Sequence, residues 1–167
     1  MSDFKEENIM NMNTWIIYGN GFNINKVKPL TMIDFIKKHK KTFCQSETEK
    51  DIYKNLTDTD NGIFAYNYMD DFFTDYGYSC ECSGHEGFGA VISNIMSRET
   101  GIRFEFQRGC DDCGSEPSVL FSDAPVWCYN ETEKCLTEDK FMEVCDKYMQ
   151  ELEIEGRADF LSLEYYG

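Results

Sequence analysis

Two closely spaced cysteine pairs limit what this chain of 167 residues can fold into more than any other feature. Cys80 and Cys82 are separated by one residue, and Cys110 and Cys113 by two. A Cys-x-x-Cys turn followed by glycine aims backbone amides at the thiolates and is typical of a zinc knuckle. Four thiolates are the commonest ligand set for a structural zinc ion in such a pattern. The sequence therefore predicts one tetrahedral structural zinc held by these four cysteines, in a zinc-binding segment at 79–114.

The identity of the fourth ligand has alternatives. His85 follows Cys82 by three residues and can replace Cys80. Cys128 and Cys135 can also enter the coordination sphere, although their wide spacing favours packed thiols. The remaining alternative is a set of reduced structural cysteines without metal. A disulfide framework is not expected, because the cytosol keeps thiols reduced.

The composition is that of one folded domain in the cytoplasm. Hydrophobic residues make up 41% of the chain and aromatic residues 15%, which is enough to build a core at this length. No apolar run approaches the ~18–20 residues of a membrane span. The N-terminus is charged and lacks the apolar stretch of a secretory signal. We expect a single domain over 1–167, with a frayed start at 1–12.

Helical and strand patterns are mixed along the chain, which predicts the α+β class with short antiparallel strands. About four helices are expected, at 31–43, 46–56, 88–100 and 137–152. His39, on the apolar stripe of the first of these, is interpreted as a packed edge histidine rather than a ligand. Strands are expected at 14–18, 102–106, 118–121 and 126–129, and the residues 157–167 are expected to form a tail or an edge strand. Asn20-Gly21 is a turn signal.

The charge of the chain is strongly negative and unevenly spread. The formal net charge is −15, and residues 46–167 hold nine Lys or Arg against 27 Asp or Glu, which leaves this part near −18. Such a field repels nucleic acid and membrane surfaces and steers the protein towards basic partners. Ordinary solubility charge is the alternative interpretation.

Aspartates and aromatic residues alternate irregularly over 58–78, which we interpret as a helix or an irregular segment. Aromatic residues are enriched at the centres of protein interfaces, so this composition favours a protein-binding face. In the alternative, the aromatic rings belong to the core and the aspartates lie outside it. The candidate partner-binding residues are Asp70, Asp71, Phe72, Asp75 and Tyr76.

A catalytic role for the metal is not expected. The order His85-Glu86, helix, strand, then Cys110 and Cys113 is similar to the zinc nucleobase deaminases, whose signature is His-x-Glu followed by Pro-Cys-x-x-Cys. Glu86 follows His85 directly, so it lacks the offset that places the carboxylate over the metal-bound water. A second cysteine pair would also close the open position that a catalytic zinc requires. A degenerate deaminase-like enzyme therefore remains the less favoured alternative to a non-enzymatic protein.

In its size, its acidity and its two cysteine pairs, the chain resembles the anti-CRISPR proteins of phages and mobile elements, in particular the zinc-containing inhibitors of type II, RNA-guided CRISPR nucleases. The resemblance implies an inhibitor that binds the nuclease in the host cell cytoplasm and stops DNA loading or cleavage. It implies a basic surface of a nucleic-acid-handling protein as the partner, with no direct binding of nucleic acid or membrane. A zinc-stabilised subunit or adaptor of a larger assembly is the alternative.

Overall fold

The computed structural model describes residues 14–67, 84–108, 118–122 and 137–166, which form six helices and four strands. The strands are β1 (Thr14–Asn23), β2 (Glu105–Arg108), β3 (Ser118–Ser122) and β4 (Asp159–Tyr166). The helices are α1 (Pro29–Lys38), α2 (Lys40–Phe43), α3 (Glu47–Thr57), α4 (Thr59–Asn67), α5 (Gly84–Thr100) and α6 (Glu138–Glu151). The predicted α+β class is confirmed. The expected frayed start at 1–12 and the expected strand at 126–129 lie outside the described residues.

The four strands form one antiparallel sheet in the order β2-β3-β1-β4. β1 is the long central strand, and Gly21 pairs with Phe121 on one side and Asp159 on the other. The predicted turn at Asn20-Gly21 is therefore wrong, because pairing on both sides holds this dipeptide in the sheet. β4 pairs with β1 from Asp159 to Tyr166 and lies at the edge of the described sheet. Residues 157–167 were expected to form a tail or an edge strand, and their described part forms an edge strand.

The helix expected at 31–43 is divided in two at His39, which has φ −99° and ψ 23°. Its backbone N–H still donates to the Phe35 carbonyl oxygen, so His39 ends α1 and begins α2. The first turn also starts earlier than expected. Pro29 stands at the beginning of α1, where a missing N–H costs nothing.

Three helix boundaries follow local signals in the sequence. The Ser46 hydroxyl accepts a hydrogen bond from the Glu49 N–H at 3.2 Å, and a Glu49 carboxylate oxygen accepts one from the Ser46 N–H at 3.0 Å, which completes a capping box. Thr137 caps α6 by accepting a hydrogen bond from the Lys140 N–H. Gly101 follows α5 at φ +72°, a left-handed conformation that suits glycine at a helix end. All three predicted boundaries are confirmed.

Two segments differ from expectation in extent. Thr59–Asn67 forms α4, so the first part of the 58–78 segment is helical, and this helix and the break at His39 raise the number of described helices above the four expected. The strand expected at 102–106 begins only at Glu105. Ile102 and Phe104 are buried before the strand begins, because the link between α5 and β2 packs into the core.

The core lies among the helices, the end of β1 and the link before β2. Apolar faces of all six described helices and of the adjoining links converge there. Fully or almost fully buried side chains include Met32, Ile33, Phe35, Ile36, Phe43, Ile52, Leu56, Phe88, Val91, Ile92, Ile95, Met96, Phe141, Cys145, Tyr148 and Met149. The ring of Phe104 stacks on that of Phe141 with 5.8 Å between centroids, which joins the link before β2 to α6.

Candidate functional site

The predicted site residues lie outside the part of the chain that the structure describes. This applies to the four predicted zinc ligands, to the alternatives Cys128 and Cys135, and to all five predicted partner-binding residues. They are Cys80, Cys82, Cys110 and Cys113, with Asp70, Asp71, Phe72, Asp75 and Tyr76. His85 is the second residue of α5, and its side chain lies outside the described part as well. The zinc site and the partner-binding segment therefore stay predictions.

The described elements next to the two cysteine pairs are packed against each other. Cys82 precedes α5 by two residues, and Cys110 follows β2 by two. Gly89, near the start of α5, lies so close to Phe106 of β2 that a Cβ on it would be 2.2 Å from the Phe106 Cδ2 atom. Five helical residues span ~7.5 Å and two strand residues ~7 Å. The Phe104 N–H donates to the Ser97 hydroxyl at 2.9 Å, so from Phe104 to Phe106 the chain runs back along α5 towards its start. The beginning of α5 and the end of β2 therefore lie at the same end of this helix–strand unit.

A buried cluster of ionisable groups joins four helices around His39, whose side chain is only 7% exposed. The His39 Nδ1 atom lies 2.6 Å from a Glu99 carboxylate oxygen, and Nε2 lies 2.6 Å from one of Glu151. An ionised carboxylate only accepts hydrogen bonds, so both ring nitrogens donate, as in the imidazolium cation. The cluster is a cation held between two anions, at the junction of α1 and α2 with α5 and α6.

Further hydrogen-bond donors lie next to both carboxylates. The Tyr148 hydroxyl donates to Glu99 at 2.7 Å, the Thr42 hydroxyl donates to Glu99 at 2.9 Å, and the Lys38 ammonium lies 3.0 Å from Glu151. Burial by itself raises the pKa of Glu99 and Glu151, but the hydrogen bonds and positive charges around them outweigh burial and hold both values below normal. Both carboxylates are therefore ionised at neutral pH.

The geometry of this cluster is that of a structural network. Its two carboxylates lie on opposite nitrogens of one ring, so they do not converge on a common point. No three His, Cys, Asp or Glu side chains in the described ranges are grouped to hold a metal ion. Because both ring nitrogens are occupied, His39 has no lone pair for taking a proton from a bound molecule. The interpretation of His39 as a packed histidine is confirmed.

A second charged pair fastens the α2–α3 corner to α5. Arg98 donates to the Phe43 carbonyl oxygen at 3.0 Å and to a Glu49 carboxylate oxygen at 2.5 Å. Glu49, which also receives the N–H groups of Gln45 and Ser46, is 8% exposed in its side chain. Burial raises the pKa of Glu49, but the Arg98 hydrogen bond and the two backbone donors lower it by more.

Sequence reasoning missed the partners of both networks. Glu99 and Glu151 are 60 and 112 residues away from His39 in sequence, and Arg98 is 49 residues away from Glu49. The one available signal was His39 itself, since a polar ring on an apolar stripe needs hydrogen-bond partners once it is buried.

The described thiols differ from reactive cysteines. Cys145 is fully buried on α6, where burial, with a smaller effect of Asp146, raises its pKa to about 12. Cys44 is half-buried after α2, and burial raises its pKa as well. Both are protonated at neutral pH and pack as small apolar groups.

No helix within the described ranges is long and apolar enough to cross a membrane. No protein-family model matches the chain, and no curated protein or solved structure is significantly similar to it.

Proposed function

We propose that this chain is an acidic, non-enzymatic binding protein that inhibits a nucleic-acid enzyme by occupying its basic surface. The favoured target is a type II RNA-guided CRISPR nuclease in the host cytoplasm, with DNA loading or cleavage as the blocked step. The observation that carries the proposal is the net charge of −15, with residues 46–167 near −18. A field of this strength speeds association with a basic surface and disfavours direct contact with nucleic acid.

The described surface offers two acidic faces for such a contact. Glu138, Asp139 and Glu143 are exposed on α6, and acidic residues at 51, 58 and 60 are exposed on and between α3 and α4. The predicted contact segment, which includes Asp70 and Asp71, follows α4 within a few residues.

A non-enzymatic role is supported by how the described reactive groups are used. Both ring nitrogens of His39 are hydrogen-bonded to Glu99 and Glu151, and Cys145 is a buried protonated thiol. These groups hold helices together.

An inhibition assay tests the proposal. Mixed with a type II CRISPR nuclease before target DNA is added, the protein should inhibit cleavage at near-stoichiometric ratios and without turnover. Addition after the DNA should inhibit less, since an inhibitor that competes for a basic DNA path must arrive first. Undiminished cleavage across a panel of such nucleases would refute this function.

Paired charge reversals locate the contact. Asp70→Lys with Asp71→Lys should weaken inhibition if the predicted segment faces the partner, and Glu138→Lys with Asp139→Lys tests the α6 face. Both double variants change the net charge by the same amount, so unequal losses identify a face. Equal small losses would mean that only the overall field contributes.

We also propose that Cys80, Cys82, Cys110 and Cys113 hold one structural zinc ion. The close packing of Gly89 on Phe106 supports this, because the described elements leading to the two pairs meet at one end. Protein purified without added zinc should contain about one zinc per chain. Cys110→Ser or Cys113→Ser should release it and lower the melting temperature sharply, since structural zinc binding is coupled to folding. His85→Ala should retain the metal, and loss of zinc in that variant would make His85 a ligand in place of Cys80.

A further inference from the structure

A lysine-lined groove lies on the outer side of the α2–α3 corner. Its volume is about 790 Å³, and it is lined by Lys40 and Lys41 of α2, Lys50 and Lys54 of α3, and the side chains of Cys44 and Tyr53. All four lysines are exposed. The Lys40 Nζ atom of α2 lies 5.1 Å from the centroid of the Tyr53 ring of α3, so this ring joins the two helices at the groove.

The groove contrasts with the rest of this acidic molecule. Eight of the 16 Lys and Arg residues fall within residues 26–54. Three acidic residues lie near the lysines on α3: Glu47 pairs with Lys50 at 2.5 Å, Glu49 is engaged by Arg98, and Asp51 is exposed directly after Lys50. The four groove lysines outnumber Glu47 and Asp51, the two acidic residues beside them that Arg98 does not engage, so the groove has a net positive charge.

The groove also has an uncharged side. Tyr53 and Cys44 are half-buried and line it between the lysines. Ammonium groups around an apolar aromatic floor suit a ligand that carries both phosphates and a flat ring. Lysine binds phosphate as a mobile point charge, and aromatic side chains bind nucleobases by stacking.

We propose that this groove binds a nucleoside polyphosphate. Its volume is within the ~300–1,000 Å³ of typical small-molecule sites. The net charge of −15 repels long polyanions over a distance, whereas a compact ligand contacts only the local lysines. The groove is built from residues other than those assigned to the proposed inhibitor function, so either proposal can fail without the other.

Titration calorimetry of the full chain at low salt tests this assignment. ATP should bind with one site per chain. Lys41→Gln with Lys54→Gln should weaken ATP binding at least about tenfold, from the loss of two charge-assisted contacts. The matched control, Lys26→Gln with Lys28→Gln, removes the same charge from outside the groove and should change affinity by less than about twofold. Tyr53→Leu should weaken ATP binding, and Tyr53→Phe should retain it.

The same titration with other anions separates the alternatives. Inorganic triphosphate should bind more weakly than ATP, and equal binding would overturn the role of the ring. A dodecamer of thymidylate or a short poly-glutamate that bound more tightly than ATP would overturn the assignment in favour of a nucleic-acid strand or an acidic peptide. Absence of ATP binding at ~1 mM, or equal weakening in both lysine double variants, would also overturn it.

Discussion

At the scale of single residues, the most consequential group in the described structure is the imidazole ring of His39. It is the cation between two carboxylates that come from different helices, and it stands where α1 ends and α2 begins. Removal of one member of a buried ionic network leaves the other members desolvated and unpaired. The loss in free energy of unfolding is then larger than the stability that the intact network contributes. His39 therefore has a structural importance that its position on an apolar stripe only hints at.

Replacement of His39 by leucine should lower the free energy of unfolding by about 2–4 kcal/mol. This is somewhat less than the ~3–5 kcal/mol for a fully buried pair, because the Glu99 side chain is 22% exposed. Urea unfolding at pH 7 measures the loss. Lys37→Ala, which removes the exposed 3.8 Å pair with Asp34, should change stability by less than ~0.5 kcal/mol. Equal effects of the two substitutions would contradict the assigned role of His39.

Acid should weaken the same network in a defined direction. The pKa values of Glu99 and Glu151 are lowered in the folded state, so around the ordinary glutamate pKa of ~4.3 the unfolded chain binds more protons than the folded one. The stability from both groups is complete above that value and is lost as pH falls through the lowered pKa values. Melting temperatures between pH 7 and pH 3 should fall less steeply in a Glu99→Gln/Glu151→Gln variant, with Glu143→Gln on exposed α6 as the control. A steeper fall in the double variant would reverse the sign of this prediction.

At the scale of secondary-structure elements, the contact of α5 with β2 decides how the middle of the chain is arranged. α5 carries five core residues, and its first turns lie against β2 with no space for a side chain at Gly89. Glycine within a helix is unfavourable by itself, so its position here reflects the close approach of Phe106. The same contact holds together the start of α5 and β2, which adjoin the two cysteine pairs in sequence.

Gly89→Ala should destabilise the protein by about 1–3 kcal/mol through overpacking, even though alanine favours a helix interior by up to ~1 kcal/mol over glycine. The reason is the 2.2 Å approach of the new Cβ to the Phe106 ring. Thermal unfolding of Gly89→Ala, Phe106→Leu and the double variant measures the coupling. The double variant should be more stable than the sum of the single effects predicts, because the shorter side chain makes room. Simple additivity would show that Gly89 and Phe106 do not compete for space.

At the scale of the whole molecule, charge is divided between a dominant acidic field and a local basic region. The net charge of −15 sets the long-range field, while the lysines of residues 26–54 form a local exception. Salt screens the long-range field over ~8 Å at physiological ionic strength, so the two effects differ in their dependence on salt. In the two proposals, the acidic field changes the rate of association with a partner, and the lysine groove contacts a ligand that is already bound.

The protein should show no measurable binding to duplex DNA at physiological salt, since the dominant field repels phosphate. Its association with a basic protein partner should slow as salt is raised, through screening of the attraction. Stopped-flow or surface-binding kinetics at several salt concentrations measure the rate, with an uncharged solute at matched osmolality as the control. Tight duplex binding, or an association rate that rises with salt, would overturn this interpretation of the charge.

The amino-acid sequence by itself determined the features that depend on neighbours within a few residues. The capping box of Ser46 and Glu49, the cap at Thr137 and the helix end at Gly101 are local, because each involves groups within one helical turn. The apolar faces of the helices and the mixed α+β class follow from periodicity in the same way. The spacing within each cysteine pair is local in the same sense, whereas the zinc prediction also requires the two pairs to meet, which local spacing does not decide.

Tertiary structure alone decided the pairings between distant residues. Asn20-Gly21 became part of a strand because β3 and β4 pair with it from both sides, which outweighs a local turn preference. His39 acquired its two carboxylates from residues 60 and 112 positions away, and the lysines of α2 and α3 came together only when both helices packed at one corner. No local sequence pattern encodes these contacts between distant residues, because they depend on how the helices and strands pack around one core.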